Sequence, residues 1–109
     1  MTDGEPGVLH TALRTDGATV WVDASGEIDM STAKKLEKTV TDGLTTQPAR
    51  ICIDMHLVSF IDSVGLTVLV RCHRLAQRQG CTLIIHSPAR QVERTLALAG
   101  LDQYLRVES

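Results

Sequence analysis

Two short stretches carry the residue types that chemistry needs. Asp62-Ser63-Val64-Gly65-Leu66 sets a carboxylate directly before a hydroxyl, and Gly26-Glu27-Ile28-Asp29 supplies two further carboxylates. At a helix start the first amides lack intrahelical acceptors and the macrodipole is positive, so a serine oxygen or a bound anion is favoured there. The plainest reading is that Asp62 or Ser63 merely caps the helix. The second stretch leaves its strand at the carboxyl end, which places Asp29 near Ser63 on the sheet edge where open α/β sheets bind ligands. Gly65 has no β-carbon and lets another backbone approach closely.

Catalysis by this serine is not expected. A nucleophile elbow needs Gly-x-Ser-x-Gly, yet Ile61 lies two residues before Ser63, and His56 is the sole candidate base in the neighbouring loop. No Gly-x-x-x-x-Gly-Lys phosphate loop is present. The four histidines, His10, His56, His73 and His86, fall on different elements without the close pairs of zinc sites, so no metal or other cofactor is expected.

The elements that must position these residues follow from periodicity. A first strand is expected over Val8 to Arg14, an Asp16-Gly17 hairpin turn next, and a second strand over Ala18 to Ser25. Gly26 to Asp29 breaks that pattern, and Ser31 or Thr32 caps a helix whose inner stripe is Ala33, Leu36, Val40 and Leu44. Ile51-Cys52-Ile53 reads as a central strand covered or flanked on all sides. A loop from Asp54 to Asp62 then leads into a second helix of about sixteen residues that ends near Gly80. Leu83-Ile84-Ile85 repeats the buried-strand pattern. Ser87 as N-cap and Pro88 as first helical residue open a third helix with Val92, Leu96 and Ala99 inward, and Gly100 stops it. Tyr104 to Val107 forms a last short strand. The order β-β-α-β-α-β-α-β predicts a small α/β protein with an antiparallel hairpin, parallel strands and crossover helices.

Composition narrows the function further. The chain has 109 residues, with 43% hydrophobic and 22% charged, which is ordinary for one globular domain. Residues 1–7 read as a flexible tail and 8–109 as a single domain. A net charge of −2 and three aromatic residues, Trp21, Phe60 and Tyr104, give neither the basic footprint nor the stacking platform of a nucleic-acid binder. The acidic start lacks a signal peptide's apolar core, and Val64 to Val70 is far shorter than the ~20 residues that cross a bilayer. Neither a membrane nor a nucleic acid is therefore expected as partner. Cys52, Cys72 and Cys81 are odd in number, lack Cys-x-x-Cys spacing, and suit a reducing cytoplasm. Arg71, Arg74 and Arg78 recur at helical spacing on the second helix; they read first as a solvated face, and in a sharper reading as docking for an acidic patch.

These motifs together resemble the STAS domain, specifically the bacterial anti-sigma factor antagonists. Gly26-Glu27-Ile28-Asp29 matches that family's Gly-Glu-Leu/Ile-Asp strand end, and Asp62-Ser63-Val64-Gly65-Leu66 its Asp-Ser-x-Gly-Leu helix start. Ser87-Pro88, before a helix that ends at Gly100-Leu101, is a third match. The likeness spans roughly Val8 to Val107. It implies the STAS fold, a mixed β-sheet with crossover helices on one face.

For function, the resemblance implies a phosphorylation switch. The serine after the aspartate, here Ser63, is the one modified by a partner kinase that is also the anti-sigma factor. The unphosphorylated form binds that kinase and frees a sigma factor; the phosphorylated form does not, and a metal-dependent protein phosphatase resets the switch. Asp29, Asp62, Val64, Gly65 and Leu66 map onto the surroundings of the phosphosite and the partner contact. Ser59 is a second hydroxyl in the loop but lacks the preceding aspartate. A monomer or weak homodimer is implied. The alternative is a STAS scaffold or accessory module, stressosome-like or transport-associated, without sigma-factor control. The chain departs from the family at Met55-His56-Leu57-Val58, where Leu-Ser-Gly-Leu/Val is common, and at Val64. Many relatives also continue into another helix beyond the position of Ser109, which implies apolar surface here for a partner or second copy to cover.

Overall fold

The tight Gly17-Ala18 turn, one residue on from the expected Asp16-Gly17, sets the register of the first hairpin, β1 (Leu9–Asp16) with β2 (Thr19–Ile28), by pairing Asp16 with Thr19 and Arg14 with Trp21. The structure, a computed structural model, describes residues 7–109. After the hairpin come α1 (Ala33–Leu44), β3 (Arg50–Ile61), α2 (Ser63–Arg78), β4 (Thr82–His86), α3 (Arg90–Leu98) and β5 (Arg106–Glu108). The sheet order is β1-β2-β3-β4-β5; β1 runs antiparallel to β2 and every later pair is parallel.

Each parallel step moves one strand further in the same direction, so right-handed crossovers put all the helices on one face. That face holds the core. Ile51, Ile53 and Met55 of β3 and Ile85 of β4 are fully buried against Leu36 and Val40 of α1, Leu69 and Cys72 of α2, and Val92 and Leu96 of α3. The opposite face carries no helix. In register across it stand Arg14, Trp21, Cys52, Ile84 and Arg106. The expected central strand, covered or flanked on all sides, is present: β3 lies between β2 and β4 with Ile51, Cys52 and Ile53 buried, helices covering one face and side chains screening the other. The Arg14 guanidinium lies 4.7 Å over the Trp21 ring, and His86 meets that ring edge-on at 5.0 Å, leaving Cys52 and Ile84 buried beneath. All three cysteines are free and buried, and burial pushes the Cys72 thiol up to about 12.

Four expectations are corrected at element ends. β3 does not stop at Asp54 but continues to Ile61, so the expected loop of Asp54 to Asp62 is mostly strand. Its pairing with β2 slips twice, between Asp23 and Ser25 and between Gly26 and Glu27. Each slip gives β3 an extra residue, and Met55, Val58 and Ile61 face the core at a spacing of three. β2 likewise runs on through Gly26 to Ile28. Gly26 permits this at φ +117°, where a β-carbon would fall 2.0 Å from the Val8 carbonyl oxygen.

α3 begins at Arg90 behind Ala89, not at Ser87. Ser87 takes a left-handed φ of 50° and donates its amide to the Glu108 carbonyl at 2.7 Å, which ties β4 to the last strand instead of capping the helix. The last strand is Arg106–Glu108; Tyr104 precedes it and meets the His73 ring edge-on at 5.1 Å. Of the expected tail, residues 1–6 lie outside the described residues, while the Gly7 amide donates to the Asp29 carboxylate at 3.2 Å.

Candidate functional site

The carboxyl ends of β2 and β3 lie side by side, Ile28 paired with Ile61, and the chain leaves both toward helix starts. After Ile61 it turns at Asp62, whose extended backbone (φ −104°, ψ −175°) ends the strand and caps α2. The Asp62 amide donates back to the Ile28 carbonyl at 3.1 Å, and Asp62 Oδ1 accepts the Gly65 amide at 2.9 Å. Its other oxygen, Oδ2, accepts the Met30 amide at 3.1 Å. One carboxylate therefore joins the segment after β2 to the first turn of α2.

Asp29 organises the other half. Its Oδ1 accepts both the Ser31 amide at 2.9 Å and the Ser31 hydroxyl at 2.6 Å. The Ser31 hydroxyl holds this carboxyl below the usual range, outweighing the opposing effect of desolvation, with help from the Ser31 and Gly7 amides. Thr32 stands at the N-cap of α1, yet its hydroxyl makes no cap bond to the helix; it donates to the Glu27 carbonyl at 2.8 Å and accepts the Asp29 amide at 2.9 Å.

Ser63 is the first residue of α2 and is exposed. Its hydroxyl has no hydrogen-bond partner among the described residues, and its carbonyl accepts the Thr67 hydroxyl at 3.0 Å. Asp29 and Asp62 come to the same edge as Ser63, as the sequence suggested, but both carboxylates serve backbone amides rather than the serine. Capping belongs to Asp62, which leaves the Ser63 oxygen free.

The remaining residues divide by depth. Val64 is 40% exposed, whereas Gly65 is buried and Leu66 packs against the core. A β-carbon at Gly65 would sit 2.7 Å from side-chain carbons of both Ile28 and Ile61, so this glycine brings α2 tight against the two strand ends. The sequence reading missed the apolar residues that share the edge: Met30 at 77% exposure and Phe60 at 42%. Their signal was present, as large apolar side chains beside the two motifs, but it became readable only once β3 was seen to reach Ile61. Ser59 is exposed and donates to the Gly26 carbonyl at 3.3 Å. His56 bonds Asp54 at 2.8 Å. Partial burial, the largest single effect, pushes the Asp54 carboxyl up, but the hydrogen bonds from the His56 ring and amide, with the nearby His56 and His86 imidazoles, together outweigh it and hold the carboxyl low. Arg71, Arg74 and Arg78 are exposed further along α2, and Arg71 reaches Glu37 of α1 at 3.0 Å. Among the described residues no cluster of His, Cys, Asp or Glu could hold a metal ion, and no helix is long and apolar enough to cross a membrane.

The STAS domain pattern matches residues 10–109. The chain belongs to the STAS domain family. This STAS domain is 33% identical over 85 residues to the anti-sigma-F factor antagonist RsfB of Mycobacterium tuberculosis, covering 77% of this chain and 68% of RsfB. It is 28% identical over 101 residues to the anti-sigma-B factor antagonist of Bacillus subtilis, covering 93% and 92% of the two chains. In structure it resembles an anti-sigma factor antagonist from Mycobacterium paratuberculosis, with a TM-score of 0.77 at 30% identity over 93% of this chain and 86% of that one. The mixed five-stranded sheet and its helical layer are thus those of the STAS fold.

Proposed function

We propose that this STAS domain is a cytoplasmic anti-sigma factor antagonist, a binding switch rather than an enzyme, with Ser63 as its phosphorylation site. The unphosphorylated form binds an anti-sigma factor that is also a serine kinase and so releases a sigma factor. The kinase moves the γ-phosphoryl group of ATP to the Ser63 oxygen, with loss of the hydroxyl proton and release of ADP. A metal-dependent phosphatase hydrolyses the ester to serine and inorganic phosphate.

The observation that carries this reading is the free Ser63 hydroxyl, exposed at the first position of α2 within a rim of exposed Met30, Phe60 and Val64. Such a rim is the kind of apolar contact surface a docking protein covers. The new anion is compatible with the fold, because first-turn amides lack intrahelical acceptors and the helix start is positive. It is incompatible with a packed interface. Phosphoserine brings about −1.5 to −2 charges, and no Lys or Arg occurs between Ile51 and Val70 or between Thr15 and Ala33 to neutralise them. Two unit charges ~4 Å apart repel by ~4 kcal/mol at an effective dielectric of about 20. Moving an equilibrium from 99:1 to 1:99 takes about 5.5 kcal/mol, so charge together with bulk and desolvation suffices.

The test compares Ser63→Ala and Ser63→Asp as immobilised baits in native lysate. An anti-sigma factor with kinase activity is expected on the alanine form alone, and that purified kinase should label the wild type but not Ser63→Ala. Equal retention by both variants overturns the proposal.

A further inference from the structure

The stripe of α2 that begins at Ser63 does not end with the phosphosite. Ser63, Thr67, Arg71, Arg74 and Arg78 follow one another at spacings of four, four, three and four residues, and all are exposed. At ~1.5 Å rise per residue the stripe is about 22 Å long, within the reach of one standard protein interface. Its far half is a shallow groove of about 270 Å³ in which Val70 and Leu75 lie between the arginines.

Charge in this chain is segregated. The helices carry three basic residues on α1, three on α2 and two on α3, which is eight of the eleven Lys and Arg. They carry only three of the thirteen Asp and Glu, namely Glu37, Asp42 and Glu93. α2 itself has no acidic residue. Arg71 is answered by Glu37, whereas Arg74 and Arg78 have no acidic partner among the described residues. Near Ser63 the sign reverses, with Asp29 and Asp62 at the edge and no Lys or Arg in residues 15–33 or 51–70.

We propose that the Arg74–Arg78 end of α2 docks an acidic segment of the same protein that engages Ser63, so that the partner's surface changes sign along the helix. This rests on the reading of Ser63 as a partner contact. Arginine suits the task, since its planar fork pairs carboxylates two hydrogen bonds at a time. A short acidic segment fits where a long polyanion does not. DNA or an anionic bilayer laid along the stripe would run onto the carboxylates at the Ser63 end, and the chain as a whole is net negative. Complementary charge of this kind chiefly raises the association rate and sets partner choice.

Two measurements test it. In the first, isotope-labelled protein is titrated with a decaglutamate peptide and followed by amide chemical shifts. Shifts confined to residues 67–78 and absent from an Arg74→Glu, Arg78→Glu double variant are expected. Shifts elsewhere, no shifts, or tighter binding to duplex DNA or phosphatidylglycerol vesicles overturn the proposal. In the second, association with the anti-sigma kinase is followed by stopped flow. The double variant should associate about ten-fold more slowly at low salt with its salt dependence flattened, while Arg74→Lys, Arg78→Lys keeps most of the rate. Unchanged rates in the double variant overturn the docking proposal but leave the Ser63 switch standing. Loss of the Ser63→Asp effect with the peptide result intact sinks the switch instead.

Discussion

Asp62 accepts the Met30 amide at 3.1 Å with one oxygen while the other accepts the Gly65 amide at 2.9 Å, so a single side chain fastens the segment after β2 to the start of α2. The exposed Met30 side chain and the Ser63 hydroxyl are thereby held on one edge. Removing the carboxylate should cost more than an ordinary cap, whose loss is worth about 1 kcal/mol, because a second amide is released as well. For Asp62→Ala we expect a loss of about 1–2 kcal/mol, or a melting temperature lower by several degrees. Asp62→Asn keeps an acceptor for the cap and should lie near the wild type. Urea unfolding of the three proteins decides the matter; an alanine variant as stable as the wild type would show that the bridge contributes nothing.

Gly65 looks like an easy site for stabilisation, since alanine is better than glycine inside a helix by up to ~1 kcal/mol. The packing argues otherwise. A methyl group there would lie 2.7 Å from Ile28 Cγ2 and Ile61 Cγ1 and 3.0 Å from the Ile28 carbonyl oxygen, which already accepts the Asp62 amide. Overpacking of this kind costs about 1–3 kcal/mol, so Gly65→Ala should destabilise the protein on balance. Adding Ile61→Val removes one of the clashing carbons' neighbours and should recover part of the loss. A Gly65→Ala variant that melts higher than the wild type would mean α2 can lift off the strand ends freely.

How far the sequence disclosed this site depended on whether the chain kept a regular period. α1 and α2 were legible because Ala33, Leu36, Val40 and Leu44, and the run up to Gly80, repeat at helical spacing. Ile51-Ile53 and Leu83-Ile85 were legible as short apolar runs between polar ones. The second half of β3 was not. Its two extra residues against β2 put Met55, Val58 and Ile61 inward three apart, a spacing that matches no strand template and resembles a loop. Ser87-Pro88 misled for a different reason. Serine before proline is a familiar helix opening, but here the Ser87 amide is taken by the Glu108 carbonyl, a partner twenty-one residues away that no local pattern announces. The candidate site residues Asp29, Asp62 and Ser63 were singled out by their types and order; which of them caps, and which stays free, came only from the hydrogen bonds.

Acid should loosen the edge through Asp29. Its folded carboxyl titrates below the ordinary aspartate range, first because the Ser31 hydroxyl donates to it at 2.6 Å. A depressed folded value means that near pH 4 the unfolded chain binds more protons than the folded one, so stability rises with pH through that range. The contribution is fully present above the unfolded value and is lost as pH falls through the lower, folded one. Because the carboxylate is largely solvated, solvent screening keeps the effect modest. Urea unfolding at pH 6, 4 and 3 should show Asp29→Asn less stable than the wild type at pH 6, with the gap closing toward pH 3. Ser31→Ala should close part of the same gap by removing the leading donor. The paired His56–Asp54 group also holds a lowered carboxyl, so the Asn variant should keep some acid sensitivity of its own. A difference between wild type and Asp29→Asn that stays constant across the three pH values would place the role of Asp29 in its shape rather than its charge.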